Sequence, residues 1–246
     1  MQIRPLTLAA LGRALRAGWQ QAQSTRGLSG LYAAIFALAG VLPLGALWLA
    51  GWTPFVLAAA GGFMLLAPIS LAGFFGIAKA SDAGRQPAWG DIVAGFREAA
   101  PALWALALVC ALLFMIFVTD AAILYAYLVG GEAVGFAQWA PHAGVGSFIR
   151  WSAISGLVVA FLLYCISAFA VPLLCERRSG LVGAVICSVR LIFGHFPVAI
   201  LWAFYLSTAG IAAALLLPLL PVVLPWLAYA SRALYREVLP IDAEQG

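Results

Sequence analysis

Few residues in this chain have the type and placement to do chemistry. Asp120 is the carboxylate set well inside an apolar run, and Arg150 opens the next run. A carboxylate in hydrocarbon is costly, so it marks an ion path, a proton relay or a buried pair. Asp120 follows Pro101 by nineteen residues, about 28 Å along a helix at 1.5 Å per residue. That puts it near the outer surface, level with Arg150. Three readings follow: a structural Asp120–Arg150 ion pair, a proton or substrate site, or a solvated side chain. His142 and His195 fall on opposite sides of the membrane and cannot share a metal. Cys110, Cys165, Cys175 and Cys187 form no CxxC pair and read as core or interface residues in a reducing compartment. No P-loop, GxSxG, HExxH or dinucleotide turn is present. The serines have no nearby base. The expectation is a protein that is not an enzyme and has no cofactor and no metal.

The remaining chemistry is cationic. Arg13, Arg16, Arg177, Arg178 and Arg190 are placed to meet anionic lipid headgroups. Their other reading is as topology signals. A net charge of +4 in a soluble protein would suggest nucleic acid. In a membrane protein it reports cytoplasmic loops, so no nucleic-acid partner is expected.

These residues must be held by membrane helices. Hydrophobic residues make up 65% of the 246 and charged residues 9%, against roughly 45–50% and 25% in soluble domains. Apolar stretches of about 20 residues, enough for ~30 Å of hydrocarbon, recur along the chain. The pattern predicts an all-α polytopic bundle forming a single membrane domain over residues 1–246. Six spans are expected, at residues 28–50, 55–80, 101–127, 148–174, 196–217 and 222–236. Short cytoplasmic interfacial helices are expected at 6–22, 89–100 and 181–193. In the first, Leu8, Leu11, Leu15 and Trp19 share one face, as in a helix lying on lipid. In the third, Val182, Val185, Ile186, Val189, Ile192 and Phe193 form a broad apolar face. Small residues recur every four at Ser152, Gly156 and Ala160, and again at Gly210 and Ala214. Such rows let helix backbones approach closely.

Charge sets the orientation. Of thirteen basic residues, Arg150 alone falls on the outer side under this topology. The positive-inside bias then places both termini in the cytoplasm. The first apolar run is too long for a signal-peptide core and is expected to stay as an anchor. The heavy use of Ala, Leu, Gly and Arg over Lys and Asn suggests a GC-rich bacterial genome, and the expected location is the bacterial inner membrane. A weak repeat is visible: interfacial helix, outward span, returning span, basic exit. Each returning span carries a proline (Pro68, Pro172, Pro225), which suggests three hairpin units of one orientation.

The segments Val171-Pro-Leu-Leu-Cys-Glu-Arg-Arg178, Ala184-Val-Ile-Cys-Ser-Val-Arg190 and Leu224-Pro-Trp-Leu-Ala-Tyr-Ala-Ser-Arg-Ala-Leu-Tyr-Arg236 resemble a bacterial family of integral membrane proteins, DUF2189. The likeness covers most of the chain and is strongest from Ser167 to Arg236. It implies a polytopic membrane protein and carries no activity with it. Some family members bear the label cytochrome c oxidase subunit I. A haem–copper subunit needs about half a dozen histidines inside its spans, and neither histidine here is mid-span.

Three functions follow from different premises. The first is a non-catalytic accessory, scaffold or assembly subunit of a larger inner-membrane complex, with membrane lipids and other membrane-protein subunits as partners. A respiratory complex would fit. The second is a small-solute or ion transporter or channel, resting on Asp120. The third is a protein that organises anionic lipid.

Overall fold

A backbone in hydrocarbon must satisfy its own polar groups, and a helix does so within one segment. The described residues follow that rule. The computed structural model describes residues 4–49, 66–99, 101–129 and 144–240, and among these there is no strand. The helices are α1 (Leu8–Ser24), α2 (Arg26–Leu49), α3 (Leu66–Asp82), α4 (Trp89–Glu98), α5 (Pro101–Val129), α6 (Val145–Ser167), α7 (Ala170–Cys175), α8 (Leu181–Gly194), α9 (Phe196–Leu215) and α10 (Leu220–Val238). A short 3₁₀ turn, Leu217–Leu219, precedes α10. The expected outer loop with His142, the turn after the first span and the acidic tail lie outside the described residues.

Among the described residues, four stretches are long and apolar enough to cross a membrane: Arg26–Pro43, Pro101–Val129, Val145–Cys175 and Phe196–Ala213. The expected second span lies partly outside the described residues; α3, of 17 residues, covers its last 15 and the two that follow. The expected sixth span is α10. It is not one of the four, because Arg232, Arg236 and Glu237 sit in its last two turns.

The chain divides into two compact units, Met1–Ala107 with Cys165–Gly246, and Leu108–Tyr164. In the first, α1 lies antiparallel along α10. Thr7 starts α1, its hydroxyl accepting from the Ala10 amide at 3.2 Å, which satisfies one free N–H of the first turn. The buried residues of α1 are Ala10, Leu11, Ala14, Gly18 and Ala22. Four of these small residues recur every fourth position and form the contact with α10. A Cβ on Gly18 would come within 2.7 Å of the Ala230 Cα. The Trp226 indole donates to the Leu15 carbonyl at 2.9 Å. Of the expected apolar face, Leu11 is buried while Leu8 and Trp19 are exposed. Deeper in the unit, Phe74 stacks edge-on between Tyr32 (4.8 Å) and Tyr229 (5.9 Å). Tyr229 closes a hydroxyl triangle with Ser29 and Thr25.

The expected span 148–174 is helical but interrupted. Proline lacks an N–H and clashes with the carbonyl four residues back, so Pro172 breaks the helix at Ala168–Phe169. The freed backbone groups are taken up by Ser188 of α8. Its hydroxyl donates to the Cys165 carbonyl at 2.8 Å and accepts from the Phe169 amide at 3.3 Å. Accordingly α8 buries Ala184, Ser188, Leu191 and Ile192. Val182, on the broad apolar face expected for an interfacial helix, is 71% exposed.

In the second unit, Tyr125 and Phe148 meet edge to face at 5.3 Å. Gly156 of α6 faces Phe117 of α5, where a Cβ would come within 3.1 Å of the ring. Gly144, at φ +93°, opens α6 in a conformation that favours glycine.

Candidate functional site: an ionic cluster where three helices end

Helix ends carry charge because they meet water. Here three of them meet each other. Asp82 is the last residue of α3, and Glu176 follows α7 directly. Arg232 and Arg236 stand one turn apart on α10, so they share a face. Arg232 donates to the Asp82 carboxylate at 2.8 Å, and its Nε lies 3.6 Å from Glu176. Arg236 donates to Asp82 at 2.8 Å and to Glu176 at 3.0 Å. Two carboxylates and two guanidiniums cancel. The Arg232 and Glu176 side chains are each only 7% exposed, and the Arg232 guanidinium lies 5.8 Å from the centre of the Phe75 ring, a favourable cation–π placement. Glu176 Oε2 and Arg232 Nε are buried without a hydrogen-bond partner. Beside Glu176, between Lys79, Glu98 and Cys175, lies a cavity of about 10 Å³, close to the room one water needs.

Further pairs surround this cluster. Arg178 donates to the Tyr235 hydroxyl at 2.9 Å and to the carbonyls of Leu239 at 2.6 Å and Pro240 at 2.8 Å. Those carbonyls end α10 and lack helical partners. Arg177, at φ +51°, donates to the carbonyls of Glu98 and of Arg97, the latter at 3.1 Å. Lys79 pairs with Glu98 at 2.6 Å, Arg85 with Asp91 at 3.1 Å, and Arg13 with Glu237.

The residues singled out in the sequence therefore fall in several places. Arg13, Arg177 and Arg178 direct their donors to the protein itself. Arg16 and Arg190 are exposed, with no hydrogen-bond or ion-pair partner among the described residues. Asp120 and Arg150 do not pair. Asp120 accepts from Ser155 of α6 at 2.6 Å, and Arg150 reaches Ser147 at 3.4 Å. Arg150 lies five residues before Ser155, about 1.4 helical turns away, and so on a different face. Of the small residues, Gly156 packs against Phe117, Ser152 has a buried hydroxyl without a partner, and Ala160 is exposed. Gly210 has nothing within 4 Å of its Cβ position, and the Ala214 side chain lies outside the described residues. Among the described residues, no three His, Cys, Asp or Glu side chains gather to hold a metal.

The cluster gives an acid dependence. Burial pushes the Asp82 carboxyl up, but the hydrogen bonds and charges of Arg232 and Arg236 together hold it below the usual range. The Ala88 amide does most to hold Asp91 low; burial opposes this and Arg85 adds to it. A carboxyl lowered by folding stabilises the protein above its unfolded pKa, ~3.9 for Asp, and loses that as pH falls through its folded value. Thermal unfolding in detergent is expected to be flat from about pH 7 to pH 5 and to fall below about pH 4. Asp82→Asn should make the acid limb shallower. An unchanged limb would show that Asp82 is not coupled to folding.

Apolar helices of spanning length, with charge gathered at helix ends, define a polytopic α-helical integral membrane protein. Residues 56–176 match the model of the DUF2189 family, described as predicted integral membrane protein. The match takes in Asp82 and Glu176 but ends before α10. Its overlap with the stretch where the likeness looked strongest is Ser167–Glu176. No curated protein and no solved structure matches the chain.

Proposed function

We propose that the protein is a non-catalytic accessory, scaffold or assembly subunit of a larger bacterial inner-membrane complex. One observation carries this reading: the charged cluster closes on itself. One oxygen of each carboxylate is held by guanidiniums, so the two negative charges are matched within the cluster rather than by a solute. Such a cluster ties helix ends together. The six-span arrangement of three hairpin units belongs to the same proposal. It is supported by the ends of α3, α7 and α10, the returning helices, meeting in one place. Basic exits on that side favour a cytoplasmic location for the cluster and both termini. In the second unit, exposed Leu112, Ile116, Ile154 and Leu157 offer an apolar surface to lipid or to another subunit. Native mass spectrometry after extraction in mild detergent tests the proposal. The expected result is this chain bound to at least one other membrane protein. A chain that always runs alone, or as copies of itself, overturns it.

A further inference from the structure

An apolar groove of about 450 Å³ runs between α1 and α9. Its walls are Leu8, Leu11 and Leu15 of α1 with Leu201, Phe204 and Tyr205 of α9, and Gly12 lies among them. The volume is in the range of ligand sites, about 300–1,000 Å³. Leu8 is 63% and Phe204 68% exposed, so the walls are open to the surroundings. One wall is an amphipathic helix and the other a helix of spanning length. A groove placed so opens toward acyl chains.

Charge says which lipid. Helix α1 carries two arginines, and Glu237 neutralises Arg13. Arg16 is exposed and has no ion-pair partner among the described residues. It lies one turn past Gly12, on the same side of the helix. A long arginine stem can follow apolar surface while its guanidinium reaches a headgroup. We infer that the α1–α9 groove holds an acyl chain of an anionic phospholipid whose net negative headgroup is drawn to Arg16. The site belongs to the single chain and does not depend on the subunit reading.

Two substitutions separate the chain from the headgroup. A Cβ at Gly12 meets nothing within 4 Å, so Gly12→Leu fills the groove without touching the α1–α10 contact. Arg16→Gln removes the charge alone. The purified, delipidated full-length chain is titrated with phosphatidylglycerol and with phosphatidylcholine of the same acyl chains, with bound lipid read by native mass spectrometry. The unaltered chain should prefer phosphatidylglycerol by ~5-fold, the worth of one arginine near an anionic lipid. Arg16→Gln should remove the preference and leave phosphatidylcholine binding unchanged. Gly12→Leu should weaken both lipids at an unchanged melting temperature. Equal binding of the two lipids by the unaltered chain overturns the assignment. So does a folded Gly12→Leu protein that binds phosphatidylglycerol as before, or one that instead loses a co-purifying polypeptide.

Discussion

Replacing Arg232 with alanine is expected to destabilise the protein by about 3 kcal/mol, the lower end of the range for breaking a buried ion pair. Arg232 bridges Asp82 and Glu176 while almost wholly buried. Its loss leaves the buried Glu176 carboxylate with Arg236 as its remaining ion-pair partner. That surviving contact, and the partial exposure of Asp82, keep the cost from the upper end. Arg232→Lys should recover only part, because an ammonium cannot reach two carboxylates with a planar fork. Pairing Arg232→Met with Glu176→Gln should cost less than the single change, since no charge is then stranded. Denaturation in mixed micelles measures all three. A loss under about 1 kcal/mol for the alanine variant would mean that water already screens the cluster.

The second large effect belongs to the crossing of α3 and α4. Gly76 and Gly95 let these backbones touch. A Cβ on Gly76 would overlap the Asp91 carbonyl oxygen, and one on Gly95 would overlap the Ala72 carbonyl oxygen. Both obstacles are backbone and cannot swing aside. Gly76→Ala or Gly95→Ala should therefore cost about 3 kcal/mol, the upper part of the usual overpacking range. Gly90 provides the control on the same helix, because its Cβ position is empty. Gly90→Ala should be neutral or stabilising by up to about 1 kcal/mol, as expected when alanine replaces a helical glycine. If all three variants melt alike, the crossing is looser than described.

Composition and period made the helices legible. The interfacial segments expected at 89–100 and 181–193 are helices at Trp89–Glu98 and Leu181–Gly194. Facing was harder to read. The sequence points the face of Leu8, Leu11, Leu15 and Trp19 on α1 toward lipid, and Leu8 and Trp19 are exposed as such a face needs; it does not mark the face that packs. Lipid welcomes large apolar side chains, so close helix contact goes instead to small ones. The stripe that packs is Ala10, Ala14, Gly18 and Ala22. On α8 the sequence likewise leaves unmarked the buried Ser188, which is needed at the break before Pro172. The ionic cluster was hidden for another reason. Asp82, Glu176, Arg232 and Arg236 each look like an ordinary helix-end charge. Their partners lie 56 to 154 residues away, and no local spacing reveals such pairs. For the same reason Asp120 was matched to Arg150 by depth alone, when helix rotation decided in favour of Ser155.

Helix α1 rests on α10, and Leu15 and Trp226 touch across 211 residues of sequence. A ribosome finishes α1 long before its mate exists. Throughout synthesis the Ala–Ala–Gly–Ala stripe has no surface to match, and a chain stalled before Leu220 never acquires one. Helix α10, made about 200 residues after α1, is thus the latch on the fold, and until it arrives that stripe stays bare.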